Sequence, residues 1–437
     1  MPIILPIELH ELVIDELAYS FLALKNCSQV CKAWLHRCRL HLFRTLLVRP
    51  HIYNMGYSSP FFCEYQQSFT FIAPCILSYV RGLKLSYQSQ NRFRSILHSS
   101  KSPCIPISNA LIPTYSMDLI SFPFKQLQFL HICWDADNWG GITALEKMLQ
   151  QIECLRHLVI EGRWRFRIKE NILSSVAVNA PHLKTLCLSK LRWFPNSLPS
   201  SLVEEILGHW NDRFLEKGVS PVQLDRFCIT ESSTKDCLID LMKVVLRSPC
   251  LDLRSLRCLA MPASSLLRAL DDERFRTLGW QVTHLAISFD THKPVLRLNT
   301  NSLPNLSHLQ LYVRGDRILH RFLSWNIPES HGASAASTPP LVHMHINFED
   351  HSDPILNNKE MPAMTYSGSL VHASNADPAL HEFIVHHGAG IDVSMYFRGR
   401  EPDTQRDCIQ KLFPQTVLTG QLDWMNPNSL EWWFDYR

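Results

Sequence analysis

The sequence predicts an α/β protein in which three short helices precede an irregular array of strand–helix repeats. Residues 1–46 place apolar side chains at helical spacing and carry helix-start signals. From about residue 80 onward, a six-residue apolar pattern recurs along the chain, with helical stretches between several copies. Hydrophobic residues make up 46% of the 437 residues, which is enough to build a core.

Composition argues against several functional classes. A net charge of +3 on 437 residues is too dispersed for a phosphate-binding surface, so we expect no nucleic-acid partner. No apolar run approaches the roughly 18 residues of a membrane helix. The start, "MPIILPIELHEL", has no basic segment and carries Glu8 early, unlike a secretory signal. The 14 cysteines are therefore expected to be reduced thiols in the cytoplasm or nucleus.

The first helix is expected to begin at Pro6, whose missing N–H costs nothing at that position. Its apolar stripe consists of Leu9, Leu12, Val13 and Leu17. Ser20 is a suitable cap for a second helix. The predicted apolar face of that helix consists of Leu24, Cys27, Val30 and Cys31. A third helix is predicted from about Lys32 to about Phe43, and one side of it carries Trp34, Cys38 and Leu42.

A metal site is one alternative interpretation of the cysteines in this region. On one continuous helix, Cys31 and Cys38 would lie about 10 Å apart, too far for ligands of one zinc ion. A redox pair usually has the spacing Cys-x-x-Cys, whereas Cys27 and Cys31 are separated by three residues. We therefore interpret both cysteines as packing residues.

Three segments of this region, taken together in order, resemble an F-box. They are "LPIELHELVIDEL", "LKNCSQVCKAW" and "LHRCRLHLFRTL", and they are most similar to the F-boxes of large fungal families. Those families carry Leu-Pro-x-Glu-Leu, then Val-Cys-x-x-Trp, then a Leu-Phe pair. The matching residues here are Leu5, Pro6, Glu8, Leu9, Val30, Cys31, Trp34, Leu42 and Phe43. The resemblance covers about a tenth of the chain.

The resemblance implies a docking function. F-box modules bind the Skp adaptor, which connects them to a cullin–RING ubiquitin ligase. Carried over to this chain, the docking surface or its immediate support consists of Leu5, Pro6, Leu9, Leu24, Val30, Cys31 and Trp34. Spacing does not separate a docking face from a core face, so core packing stays an equal alternative for each residue. The link "AYSFLAL" departs from the family because it lacks a charged residue; either the helix geometry differs or the link packs on the downstream domain.

The repeat is a Leu-x-x-Leu-x-Leu pattern with conservative variants. Its ten copies begin at Val80, Leu127, Leu155, Leu183, Leu224, Leu256, Val282, Leu306, Leu341 and Leu380. The last two apolar positions of each copy are two residues apart and so share one face of a strand. Helical stretches between copies include "TALEKMLQQ", "KENILSSVAV", "SLVEEILGHWNDRFLEK" and "TKDCLIDLMKVVL".

Short strands followed by helices, stacked many times, are typical of a leucine-rich-repeat solenoid. We therefore predict an irregular leucine-rich-repeat-like solenoid over residues 47–437, after the F-box of residues 1–46. The usual Asn or Cys of the turn is missing, so the repeat is irregular, and a generic α/β domain stays open as an alternative. Residues 98–109 and 328–340 are interpreted as linkers, and the final "EWWFDY" as a cap on the last repeat.

In such a solenoid, the residues that flank each middle leucine point away from the core. The predicted target face consists of His131, His157, Arg226, His284, His308, Gln310, His343 and His345. Three consecutive copies place His284, His308 and His343, here named the histidine column, on neighbouring strands about 4.8 Å apart. A pH-sensitive or metal-assisted patch is one hypothesis. We favour the interpretation that these histidines are ordinary exposed polar side chains. Zinc requires ligands that converge as a tetrahedron, and side chains arranged in a column do not converge in this way.

The sequence thus favours a non-catalytic substrate receptor of a Skp–cullin–F-box ligase, with a protein target of unknown identity. No catalytic, cofactor-binding or metal-binding residue is predicted, because no phosphate-binding glycine loop, nucleophile elbow or metal-ligand pair is found. A scaffold without a ubiquitination role is the first alternative, and an enzyme is the second.

Overall fold

The computed structural model describes twenty-two segments of the chain. They are residues 6–18, 20–48, 74–87, 124, 126–134, 142–162, 165–166, 172–189, 192–193, 218, 220–230, 245–270, 272–289, 298, 302–313, 316–326, 341–349, 376–387, 391–398, 409–410, 412–418 and 422–424. Predicted features outside these segments include Leu5, the two linkers, the helix at 201–217, most of the helix at 234–246 and the aromatic C-terminus. The described part of the chain is α/β, with mostly parallel strands and eleven helices.

The chain divides into two compact units. The first consists of Met1–Asn196, Ser200–Val222 and Tyr436–Arg437, and the second of Ser197–Pro199 and Gln223–Asp435. The short strand β8 (Val222–Gln223) lies where the chain passes from one unit to the other.

The first unit begins with the three predicted helices. Its described helices are α1 (Ile7–Glu16), α2 (Phe21–Cys27), α3 (Lys32–Leu42), α4 (Pro74–Leu77), α5 (Ile142–Leu149) and α6 (Ile172–Asn179). The predicted cap of α2 is confirmed, since the Ser20 Oγ accepts a hydrogen bond from the Ala23 N–H at 3.3 Å. Pro6 is the N-cap of α1 rather than its first helical residue.

A parallel sheet follows in the same unit. Its strands lie in the order β1 (Thr45–Val48), β2 (Gly82–Tyr87), β3 (Phe129–Trp134), β4 (His157–Gly162) and β6 (Thr185–Ser189). The two-residue strands β5 (Arg165–Phe166) and β7 (Arg192–Trp193) pair with each other. Because β1 begins at Thr45, the sheet starts immediately after α3.

The second unit contains a longer parallel sheet. Its strands lie in the order β9 (Arg226–Thr230), β11 (Cys258–Pro262), β12 (His284–Ser288), β13 (His308–Val313), β14 (His343–Glu349), β15 (Asp392–Arg398) and β16 (Leu422–Trp424). The remaining elements are β10 (Leu251–Asp252), α7 (Ala263–Ala269), α8 (Glu273–Gly279), α9 (Asp316–Asn326), α10 (Ala376–His387) and α11 (Pro414–Leu418).

Nine of the ten repeat copies contain a strand, which begins two residues after the first apolar position in each. The tenth copy, from Leu380, is wrong: its residues lie in α10. Leu380, Phe383 and Ile384 are all buried, and their spacing of three and four residues places them on one helix face. The strand of that region is β15, whose apolar residues Val393 and Met395 were not recognised as a copy.

The alternate leucines of each strand form the core, as the pattern predicts. In the second unit, the inward pairs include Leu259 with Met261 and Leu309 with Leu311, all essentially buried. The opposite face of each strand was expected to point away from the core, yet many residues on that face are also buried. These residues are Val159, Thr185, Cys187, Ser189, Cys228, Cys258, Ala260, Ala286, Gln310 and Asn347.

Candidate docking and recognition surfaces

The three N-terminal helices share a very small core. Ile14 of α1, Leu24 of α2 and Cys38 of α3 are its buried members. Leu17, Cys27, Trp34 and Leu42 pack against it while partly exposed. The predicted positions of Trp34, Cys38 and Leu42 on one side of α3 are therefore confirmed. Burial raises the pKa of the Cys38 thiol, which suits a packing residue rather than a reactive one.

An ionic cluster joins α1 to α3. The Arg37 guanidinium donates from Nε to the Asp15 Oδ1 at 2.6 Å, and its second nitrogen contacts Oδ2. His41 Nε2 lies 2.8 Å from the same Oδ1. The bonds from Arg37, followed by that from His41, lower the pKa of Asp15 to about 2. Sequence reasoning missed this cluster, although Asp15 and Arg37 are the kind of complementary pair that adjacent helices use.

Seven large apolar side chains within residues 7–30 are exposed to solvent. They are Ile7, Leu9, Leu12, Val13, Phe21, Leu22 and Val30. The predicted stripe of α1 is therefore wrong at Leu9, Leu12 and Val13, which are exposed, and holds only at Leu17, which packs against the core. Ile14, outside the stripe, is buried. The predicted apolar face of α2 is wrong in the same way at Val30 and Cys31, which are exposed beyond the end of the helix.

The predicted docking residues fall into two groups. Pro6, Leu9, Val30 and Cys31 are exposed, and Leu5 lies outside the described residues. Leu24 is 2% exposed and belongs to the core. Trp34 is half-buried, with its ring edge-on to His10 at a centroid distance of 5.6 Å. Leu24 and Trp34 therefore lie where residues would support a docking surface from below.

Two described residues of the apolar link "AYSFLAL", Phe21 and Leu22, lie largely in solvent rather than against the downstream chain. Phe21 is 69% exposed, and Leu22 is exposed to a similar degree. Ala23 and Leu24 belong to α2, whose cap is Ser20. The departure from the family pattern thus enlarges the exposed apolar surface of the three helices.

The first unit carries two of the predicted target-face histidines. His131 is half-buried on β3, and its Nε2 lies 2.9 Å from the Glu161 Oε2 of β4. His157 is half-buried on β4, where Nδ1 shares a hydrogen bond with the Thr185 hydroxyl at 3.0 Å. Both imidazoles therefore have partners on the neighbouring strand.

The second unit assembles the histidine column. The register places His284, His308 and His343 directly opposite one another on β12, β13 and β14. The rings of His284 and His308 are stacked with centroids 4.0 Å apart, and those of His308 and His343 lie 4.7 Å apart at 37°. His345 shares the face of His343, with parallel rings 6.3 Å apart. The predicted column is thus present as a stack.

Residues of opposite charge flank the two ends of the histidine column. Cys258 separates His284 from Arg226 on one side, while Asp392 lies beside His343 on the other. His343 Nδ1 is 3.3 Å from the Asp392 Oδ2. Desolvation and the neighbouring basic groups lower the pKa of His284 to about 4, and desolvation and the adjacent imidazoles do the same for His345. The pKa of His308 is lowered for similar reasons.

Local hydrogen bonds fix these rings. His284 and His308 each bond through Nδ1 to the hydroxyl of the preceding residue, Thr283 and Ser307, at 2.8 and 2.9 Å. His345 Nδ1 bonds to the Ser394 hydroxyl of β15. Within the described residues, no three His, Cys, Asp or Glu side chains converge to hold a metal ion. The imidazoles of the stack therefore lie side by side and do not surround a common point where a metal ion could bind.

Gln310 departs from the predicted exposed face. It lies on β13 between Ala286 and His345 and is 1% exposed. Asn347, which the sequence did not single out, lies on β14 between Tyr312 and Tyr396 and is also buried. The Gln310 Oε1 and the Asn347 Nδ2 have no hydrogen-bond partner. β13 and β14 thus each carry one buried amide atom without a partner, on the face of the histidine column.

The structure therefore brings together His284, His308, Gln310, His343 and His345, with Arg226 two strands away from His284. Nine cysteines of the described segments are free thiols. Among the described helices, none has the length and apolar character needed to cross a bilayer. No family model matches the chain, and no curated protein matches it significantly.

Proposed function

We propose that this chain is the substrate receptor of a Skp–cullin–F-box ubiquitin ligase, acting in the cytoplasm, the nucleus or both. In this proposal, α1–α3 dock on the Skp adaptor, and an irregular leucine-rich-repeat-like solenoid presents a protein target. Catalysis belongs to other subunits of the ligase. The receptor contributes proximity, because it raises the effective concentration of the target near the ubiquitin donor.

The observation that supports docking is the imbalance between core and surface in the three helices. Three buried side chains hold them together, whereas seven large apolar side chains within residues 7–30 are exposed. Single exposed apolar residues are ordinary, but several within one small module indicate an interaction surface. An amphipathic helical surface of this kind suits a helical protein partner.

The experiment is affinity purification from cells of the organism that encodes the chain. A variant with Leu9→Ser, Leu12→Ser and Val13→Ser removes apolar surface without touching the core. We expect the wild type to copurify with the Skp adaptor and a cullin, and the variant to lose both. Trp34 and Leu24 are less suitable targets, because their substitution also weakens the core.

The matched control removes exposed apolar surface elsewhere. Trp325 and Val385 are exposed on α9 and α10 of the second unit, so Trp325→Ser with Val385→Ser should leave adaptor binding unchanged. The absence of adaptor and cullin from the wild-type sample contradicts the receptor proposal. Proteins retained by both the wild type and the docking variant are target candidates.

The alternative of a scaffold without ubiquitination predicts a different outcome. The adaptor would copurify, but no retained protein would change in abundance or ubiquitination when the chain is depleted. An enzyme is the less favoured alternative. The lowered pKa values of His284 and His345 leave neutral imidazoles, and the His345 Nδ1 bonds to the Ser394 hydroxyl, so a hydroxyl beside a base is present. The preference against an enzyme rests on the catalytic sequence motifs that the chain lacks.

A further inference from the structure

Six residues lie side by side across six parallel strands of the second unit. The register pairs each of them with the next, from β9 through β11, β12, β13 and β14 to β15. They are here named the cross-strand row and consist of Arg226, Cys258, His284, His308, His343 and Asp392. The residue that follows each of them in its strand is a buried core side chain, so the row lies on the opposite face of the sheet.

The two ends of the cross-strand row carry opposite charges. Arg226 on β9 is basic, and Asp392 on β15 is acidic. Neighbouring strands lie about 4.8 Å apart, so the five strand steps from Arg226 to Asp392 cover about 24 Å. Charges that far apart do not form an ion pair with each other. A ligand that spans the row therefore meets a positive end and a negative end.

The residues next to Arg226 along the row are uncharged at neutral pH. Desolvation, followed by the His308 ring and the Arg226 charge, lowers the pKa of His284 to about 4. Desolvation and the His343 ring also lower the pKa of His308, and burial raises the pKa of the Cys258 thiol. Flat neutral rings and a small thiol thus separate the two charged ends.

Solvent reaches the cross-strand row along its length. The Asp392 and His343 side chains are 81% and 35% exposed. Arg226, His284 and His308 are each partly exposed, whereas the small Cys258 is buried. Because only one short side chain interrupts the accessible surface, an elongated ligand can lie across the strands and contact both ends.

We propose that the cross-strand row binds an extended segment of the target protein that carries an acidic and a basic residue about seven positions apart. An extended chain advances roughly 3.4 Å per residue, so about seven residues cover the distance from Arg226 to Asp392. The acidic side chain pairs with the Arg226 guanidinium, and the basic side chain pairs with the Asp392 carboxylate. Identification of the ligand as a segment of the target rests on the proposed receptor function, whereas the charge preference of the row does not depend on adaptor docking.

The opposite charges of the two ends select against ligands of a single charge sign. A nucleic acid or an acidic peptide would pair with Arg226 but would place negative charge against Asp392. A basic peptide would be repelled at the Arg226 end in the same way. Between the ends, uncharged side chains suit the half-buried rings, because a charged one would lose hydration there without gaining a partner.

The test uses the full chain and fluorescent peptides of about twelve residues with blocked ends, whose affinities are measured by fluorescence anisotropy. Three pools carry two charged residues seven positions apart in an otherwise uncharged sequence. The mixed pool has one Glu and one Lys in either order, the acidic pool two Glu, and the basic pool two Lys. A fourth pool has Glu and Lys side by side. We expect wild type to bind the mixed pool about fivefold more tightly than each other pool, because each of those pairs favourably at only one end.

Charge reversal at one end of the row should change the preferred pool in a defined direction. Arg226→Glu leaves two acidic ends and should prefer the basic pool. Asp392→Lys leaves two basic ends and should prefer the acidic pool. The matched controls Arg321→Glu and Glu153→Lys reverse exposed charges outside the row and should keep the wild-type preference.

Thermal unfolding shows whether each variant folds, and the neutral variants Arg226→Gln and Asp392→Asn take the place of a reversal that does not. Arg226→Gln should bind the mixed and basic pools equally, because it removes discrimination at that end alone. Asp392→Asn should bind the mixed and acidic pools equally for the same reason.

Equal binding of the four pools, or binding of none, overturns the proposal. A wild-type preference that survives changes at both Arg226 and Asp392 also overturns it. Copurification of the adaptor is measured on the same preparations. Adaptor binding without a charge preference refutes only the peptide site, and a charge preference without adaptor binding refutes only the receptor function.

Discussion

The Asp15 carboxylate accepts hydrogen bonds from both the Arg37 guanidinium and the His41 imidazole, and so joins α1 to α3. The geometry with Arg37 is bidentate, which is the stronger and more directional form of an ion pair. Only three side chains are buried between the helices, so this cluster adds a polar link that holds α1, with its exposed Leu9 and Leu12, against α3.

We expect Asp15→Ala to lower the stability of the three-helix module by about 1 kcal/mol, a modest value because solvent screens a partly exposed pair. Amide hydrogen exchange in α1 and α3 should accelerate about fivefold as a result. Because the pKa of Asp15 is lowered from 3.8 to about 2, the stabilisation is present above pH 3.8 and is lost as the pH falls towards 2. Glu16→Ala, an exposed neighbour, is the control and should leave exchange unchanged.

Leu24 and Val30 provide a test of core against surface within the F-box-like segment. Leu24→Ala should cost about 2–4 kcal/mol and disrupt all three helices, since it empties a third of the buried core. Val30→Ala should change stability by less than about 0.5 kcal/mol, because its side chain is exposed. Hydrogen exchange measures both changes, and equal exchange in the two variants would contradict the described packing.

His284 of the histidine column and His345, which shares its face, predict acid-sensitive stability in the second unit. The pKa values of His284 and His345 are about 4 in the folded protein, against 6.5 for the free group, so the unfolded chain binds protons first as the pH falls. The stabilisation is therefore complete above pH 6.5 and decreases steadily down to pH 4. At pH 5 we expect a loss of about 2 kcal/mol for the two rings together, after discounting for partial exposure.

Thermal unfolding at pH 7.5 and pH 5.0 measures this loss. The double variant His284→Gln with His345→Gln should show a smaller difference between the two pH values than wild type. His182→Gln removes an exposed histidine outside the column and should retain the wild-type difference. A double variant with the full wild-type difference would exclude these rings as its source.

Asp377 joins two helices that are far apart in the sequence. Its carboxylate accepts bonds from the backbone N–H groups of Gln415 and Thr416 and from the Thr416 hydroxyl, at 2.8, 3.1 and 2.7 Å. Asp377 is therefore a buried cap for α11 supplied by α10. We expect Asp377→Ala to cost about 2–3 kcal/mol, since it leaves buried donors unpaired.

Asp272, which caps α8 from the adjacent position, offers the comparison for this prediction. Asp272→Ala should cost only about 0.5–1 kcal/mol, because the freed N–H group is exposed to water. Thermal unfolding of the two variants ranks the costs, and an equal or reversed ranking would contradict the buried cap.

Periodicity was sufficient to predict most of the repeated strands. The pattern consists of two apolar residues two positions apart, preceded by another apolar residue three positions earlier. It identifies nine strands: β2, β3, β4, β6, β9, β11, β12, β13 and β14. The same pattern failed at Leu380, because Leu380 and Phe383 are also three apart, which a helix face satisfies equally well. Two short elements, β1 and β16, offered too few residues for any period to be recognised.

The candidate surfaces were less predictable because they depend on contacts distant in the sequence. Leu12 is exposed and Ile14 is buried, although both are apolar residues of the same helix. The local sequence therefore does not reveal which of the two faces the core. The partnership of Asp15 with Arg37 joins residues that are 22 positions apart. The column of His284, His308 and His343 was predictable because equal position within each repeat fixes the register. The burial of Gln310 depends on its neighbours and was not predictable.

The order of strands in the second unit has a consequence for how this unit opens. From β11 to β16, each strand pairs with the next strand along the chain, so no described strand is inserted between two others out of order. Loss of structure can therefore proceed inward one strand at a time from β16, the three-residue strand at the end of the sheet. Fraying from this end must remove β16 and β15 before it reaches Asn347 on β14, and this places Asn347 and Gln310 in the slowly exchanging part of the unit.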